Sequence, residues 1–169
     1  MGLTGDASRH LLMDPEFWRP RIDRLEREPR QLAIFPRHDL SRPGIEVIEL
    51  RLRALDGARL TALLCRSAFA ERGLVVHLRA CAGLAGKTLD FPIVEAGGTD
   101  LIFEYPSGRR LEDRVLDVLR VMDAVCSIEG VDCSHVTFSP SDSCVQDEFA
   151  IAQFLRQQGW TATPPDPQA

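Results

Sequence analysis

Residues 114–139, RVLDVLRVMDAVCSIEGVDCSHVTFS, decide how this chain is built. Leu111, Val115, Val118, Leu119, Met122, Val125 and Cys126 recur at i, i+4, i+7, i+8, i+11, i+14 and i+15. That spacing draws one apolar stripe along a helix over 111–127. Glu112, Asp113, Arg114, Asp117, Arg120 and Asp123 cover the rest of the helix. HVTFS, at 135–139, then reads as a strand. Helix therefore passes to strand through a short loop.

Downstream, SPSDSCVQDEFAIAQ (139–153) is where that strand hands over to a second helix, expected over 146–158 and closed by Gly159. Three serines and a cysteine crowd the turn. Ser143-Cys144-Val145-Gln146 fits the capping pattern S-x-x-Q, in which side chains satisfy the free amides of a helix start. WTAT (160–163) can begin one more strand before PPDPQA.

Upstream, Asp14 as N-cap and Pro15 at the first position begin a helix that stops before Pro29, with Pro20 making it short or kinked. Residues 29–44, with Pro29, Pro36 and Pro43, read as an extended connector. IEVIELRLRALDGARLTALLCR alternates apolar and charged residues, turns at Asp56-Gly57 and returns, which is a hairpin. GLVVHLRA (73–80) and DLIFEY (100–105) are short apolar runs of the kind buried on both faces of a sheet. A helix over 86–96, ended by Gly97-Gly98, separates them. A leading hairpin followed by strand–helix alternation implies a three-layer α/β/α domain. Its sheet is mostly parallel, with an N-terminal antiparallel hairpin. The chain divides into a helical arm and linker at 1–44, the domain at 45–163 and a disordered tail at 164–169.

At 169 residues with 44% hydrophobic and 27% charged residues, one soluble domain is expected. No apolar run reaches the ~20 residues of a membrane span, and the first residues lack the pattern of a secretory signal. A cytoplasmic location follows, and with it five reduced cysteines. A net charge of −5 argues against nucleic acid as a partner. Cys126, Cys133 and His135 lie close in sequence but lack a paired C-x-x-C spacing, so no metal and no cofactor are expected.

Four stretches carry a resemblance to a known family. DPEFWRPRIDRLE (14–26), the hairpin with its Asp-Gly turn, GLVVHLRACAG (73–83) and RVLDVLRVMDAVCSIEGVDCSHVTFS resemble the acetyl xylan esterase and cephalosporin C deacetylase group of α/β-hydrolases. The likeness runs from about residue 14 to 160 and matches the first part of that fold. It implies an oxyanion loop at Arg79, Ala80 and Cys81, and a serine nucleophile in the 139–153 turn. Counting from the strand places the nucleophile near Asp142, and counting back from Ala150 and Ala152 places it near Cys144. Ser143 lies between them. Ser143 and Cys144 are thus the candidate nucleophiles.

The sequence departs from the family at the chemistry. A nucleophile elbow of the form Gly-X-Ser-X-Gly needs small residues around a strained turn, yet no glycine occurs between Gly130 and Gly159. In this fold the acid and the histidine follow the serine, whereas His10, His38, His77 and His135 all precede Ser141. A helix cap is therefore favoured over a nucleophile. The expectation is a shortened, degenerate hydrolase-like protein that binds a ligand or a protein. The alternative is an ester hydrolase using Ser143 or Cys144, with its remaining groups supplied by another chain. Cys144 at a helix start is expected to be the most reactive thiol. A homo-oligomer or a partner chain is expected to cover the sheet edge beside the 135–139 strand, where Val136 and Phe138 would be partly uncovered.

Overall fold

The computed structural model of the chain describes residues 14–68, 74–80, 91–106, 108–140, 145–157, 159 and 162–163. The first helix, α1 (Pro15–Arg27), is fixed at its start by Asp14, whose carboxylate accepts from the amides of Glu16 and Phe17. Those are donors that a helix start cannot pair internally. Pro20 lies inside α1 without ending it.

Beyond α1, β1 (Ala33–Pro36) occupies the stretch expected to be a connector, and that expectation is corrected. It pairs antiparallel with β2 (Ile45–Arg53), placing Ile34 opposite Leu50 and Phe35 opposite Glu49. Pro36 is tolerated because an edge strand can leave a donor position empty. Strand β2 turns at Asp56-Gly57, with Gly57 at φ +85°, and pairs with β3 (Arg59–Ser67). The later elements are β4 (Leu74–Ala80), α2 (Pro92–Glu95), β5 (Thr99–Tyr105) and α3 (Leu111–Cys126). They are followed by β6 (Val136–Pro140), α4 (Val145–Gln157) and β7 (Ala162–Thr163).

The strands form one seven-stranded sheet in the order β1-β2-β3-β5-β4-β6-β7. The pairings β1·β2, β2·β3 and β3·β5 are antiparallel, while β5·β4, β4·β6 and β6·β7 are parallel. The described sheet is thus evenly mixed, because the hairpin joins the parallel part through one further antiparallel pairing.

Helices α1, α3 and α4 pack on one face, where Trp18, Leu50, Leu64, Phe103, Val118, Met122 and Phe154 share a single apolar cluster. The opposite face has a smaller cluster in which Phe91 and Val94 cover Val47, Leu63, Cys65 and Ile102. Because α3 lies among the sheet, α1 and α4, its burial extends beyond the apolar stripe. Asp117 and Arg120, which the pattern places off that stripe, are both buried. Arg120 donates to the carbonyls of Leu25, Glu28, Pro29 and Arg53, tying the end of α1 to the end of β2. Val136 is buried too, as are Ile151, Phe154 and Leu155 of α4, so the expected uncovering of Val136 is corrected. Strand β7 covers it, pairing Ala162 with Val136 and Thr163 with Thr137.

A second correction concerns the thiols. Cys126, the last residue of α3, forms a disulfide with Cys133, closing the SIEGVD loop before β6. Their Cα atoms are 5.8 Å apart, within the usual bridging range. Bonded to each other, these sulfurs are not available as metal ligands. Cys65 is a buried free thiol, and burial together with Asp100 pushes it up to about 12.

Candidate functional site at the ends of the parallel strands

Strand β4 is the first parallel strand in the chain, yet it lies between β5 and β6. The chain leaves β4 for a neighbour on one side and later returns to its other side. Open α/β sheets bind ligands at such a reversal, outside the carboxyl ends of the strands. The register sets Leu78 beside Pro140 and Ala80 beside Tyr105. Arg79 and Ala80, still paired with Glu104 and Tyr105 of β5, therefore run past the end of β6 at Pro140. Cys81, Ser143 and Cys144 lie outside the described residues, so the expected capping box is described only at Val145 and Gln146, the first residues of α4. What is established is the backbone juxtaposition of the two strand ends that lead into them.

Among the described histidines, neither His38 nor His135 reaches that edge as a base. Both are exposed. His135 stands immediately before β6, at its opposite end, with Nδ1 2.9 Å from the Ser134 hydroxyl. The backbone of His77 pairs with Ile102 and Ser139 in mid-sheet.

The same edge carries a charged cluster that sequence reading missed. Arg109, in the loop after β5, sends Nε and Nη2 to the two carboxylate oxygens of Asp117 at 2.8 and 3.0 Å. It also bonds Asp56 of the β2–β3 turn, through Nη1 and, at 3.1 Å, through Nη2. One guanidinium thus fastens three elements, the forked arrangement that suits arginine to carboxylates. Arg109 and Asp117 are both more than nine-tenths buried as side chains, whereas Asp56 is half exposed. Burial pushes Asp117 up to about 7 against the pull of Arg109. The Arg109 hydrogen bonds hold Asp56 below its ordinary value. Burial opposes the charge on Arg109, but its two carboxylates outweigh that and keep its pKa raised. A cleft of about 350 Å³ opens over this cluster, lined further by Pro20, Arg21, Arg24, Asp113 and Leu116.

The signal for this cluster was weak. Asp56 was legible only as a turn residue, and Asp117 only as one of six polar positions on a helix. Nothing in the periodicity marks Arg109, because its partners lie on other elements, Asp117 eight residues on and Asp56 far back in the chain.

No protein-family profile matches the chain. No curated protein matches it either. Solved structures do. An acetyl xylan esterase from Paenibacillus sp. R4 superposes with TM-score 0.67 at 18% identity, over 91% of this chain and 58% of that one. Acetyl xylan esterase 1 from Thermoanaerobacterium sp. JW/SL YS485 gives 0.66 at 14% identity, over 82% and 53%. A glucuronoyl esterase from Solibacter usitatus gives 0.55 at 11% identity, over 82% and 56%. The chain thus matches a little over half the length of these proteins. With the mixed sheet, its reversal at β4 and these superpositions together, the chain shares the α/β fold seen in the matched part of these esterases.

Proposed function

We propose that this protein binds a small ligand or a protein partner on a degenerate α/β-hydrolase scaffold, as a pseudoenzyme rather than as a working esterase. The observation that carries this reading is compositional. Between Gly130 and Gly159 the chain has no glycine, although β6 ends at Pro140, where a nucleophile elbow would have to turn. A serine there lacks the small neighbours that let the strained turn form. A serine hydroxyl is also a weak nucleophile until a placed base takes its proton. The test is hydrolysis of p-nitrophenyl acetate, with Ser143→Ala and Cys144→Ala as controls. The expected result is background turnover for all three proteins. Turnover that either substitution abolishes would overturn the proposal.

The esterase-like fold favours a second reading, a carboxylic-ester hydrolase with Ser143 or Cys144 as nucleophile and its base from another chain. Stoichiometric labelling of Ser143 by a fluorophosphonate would establish it, and fold likeness by itself does not. In the first reading the described sheet is part of a larger, mostly parallel three-layer arrangement. A second copy or a partner chain completes it beyond β7. A cytoplasmic location, also part of this reading, would expose the Cys126–Cys133 bridge to reduction. No helix among the described residues is long and apolar enough to cross a membrane.

A further inference from the structure

At the opposite side of the sheet from β7, Ile34 and Phe35 of β1 are exposed large apolar side chains, 48% and 41% accessible. Among the described residues, strand β1 is the last strand on that side. The Arg37 amide bonds the Val47 carbonyl, so residue 37 faces β2. By the alternation of an antiparallel pair, the amide and carbonyl of Ile34 and the carbonyl of Pro36 then point away from the sheet.

The side chains beside this edge are basic. Opposed residues share a face, so the pairs Phe35–Glu49, Arg51–Thr61 and Arg53–Arg59 lie on one side of the sheet. Arg51, Arg53 and Arg59 are exposed there. The Arg51 guanidinium sits 4.6 Å from the centre of the Phe35 ring. Glu49 is held by both Arg37 and Arg51, and Asp39 by Arg37. Nearest β1, three guanidiniums (Arg37, Arg51 and Arg53) therefore face two carboxylates that are already paired, in a chain whose net charge is −5. Arg59 lies farther off on β3, with Glu104 on the adjacent β5 of the same face.

We propose that the β1 edge, with Phe35, Arg37 and the arginines of β2 beside it, docks an extended acidic segment of a partner protein, which adds to β1 as a strand. Strand addition takes its affinity from main-chain hydrogen bonds and its selectivity from alternate side chains. Here Pro36 withholds one donor, so main-chain pairing is short and the guanidiniums supply the rest. A second copy of this chain is a poor occupant, because a two-fold axis perpendicular to the sheet beside β1 would set the two copies' arginines on one face, like charge near like charge.

The probe is a fluorescein-labelled peptide of alternating Glu and Val, followed by anisotropy at low and high salt. Control peptides replace every Glu by Lys, or every second Val by Pro. A single-stranded RNA oligonucleotide is measured in parallel. The acidic peptide should bind saturably, lose affinity with salt, and slow hydrogen exchange at the Ile34 amide. Arg53→Glu and Phe35→Ser, both at exposed positions, should each weaken it by about tenfold without changing the melting temperature. The proline peptide should bind at least as weakly as the variants do. Absence of binding, equal binding of the lysine or proline peptide, tighter binding of the RNA, or an unprotected Ile34 amide would each overturn the proposal.

Discussion

The indole of Trp18 and the ring of Phe154 lie 4.7 Å apart, centre to centre, so the first described helix touches the last directly. Phe17 meets the same indole edge-on at 5.2 Å. Trp18 is 2% exposed and belongs to the main core cluster. Trp18→Ala should cost about 3–5 kcal/mol, the usual range for emptying a buried aromatic site. Urea unfolding monitored by far-ultraviolet dichroism checks this. A loss under about 1 kcal/mol would mean that α1 contributes little to the core.

Arg120 offers a second test of how α1 is held. Its removal leaves the carbonyls of Leu25, Glu28, Pro29 and Arg53 without this donor inside the protein. Arg120→Ala should destabilise by about 3 kcal/mol, since partly buried acceptors lose a charged donor that water only partly replaces. Arg120→Lys should recover only part of that, because an ammonium lacks the planar fork. Full recovery by lysine would show that charge, not geometry, ties the elements together.

Asp117 makes stability depend on pH in a defined direction. Its folded-state value, about 7, lies above its ordinary 3.8. The folded protein keeps the proton where the unfolded chain has released it. The stabilisation is complete below about pH 4 and is lost as pH rises through about 7. Asp39, Glu49, Asp56 and Asp132 are shifted downward and act in the opposite sense. The informative quantity is therefore the difference between wild type and Asp117→Asn. That difference should move in favour of the variant as pH rises across this window. Urea midpoints that keep a constant separation would place the Asp117 titration in the ordinary carboxylate range.

The Cys126–Cys133 bridge closes a short loop, for which chain-entropy arguments give about 2–3 kcal/mol. Dithiothreitol, or Cys133→Ser, should lower the melting temperature accordingly. Intact-mass analysis after alkylation without reduction should show both cysteines protected. Modification of Cys133 as fast as any other cysteine would mean that the bridge is open in solution.

The hairpin, the two strands bounding its downstream helix segment, α3, β6 and α4 were all legible in the sequence, because each carries its own period and its own boundary residues. Strand β1 was not. Its four residues are mostly exposed and flanked by prolines, so neither alternation nor burial marks them, and only pairing with β2 makes them a strand. The Arg109–Asp117–Asp56 cluster was hidden for a related reason. A polar residue on a helix reads as solvated until other elements are known to cover it. Arg120 illustrates the same limit, since its four acceptors come from α1, the segment after it and β2. The disulfide was obscured by an inference about compartment, although the seven-residue separation of its cysteines was visible.

The position of β4 between two strands that both follow it constrains the order in which the chain can assemble during synthesis. The β2–β3 hairpin is complete as soon as Ser67 is made, whereas β4 has no parallel neighbour until β5 begins at Thr99 and lacks its second until β6 begins at Val136. Closing pairings across such sequence separations is slow compared with forming a hairpin. A nascent chain halted before Val136 should therefore be more open to protease along β4, which still lacks one of its two neighbours, than across the hairpin.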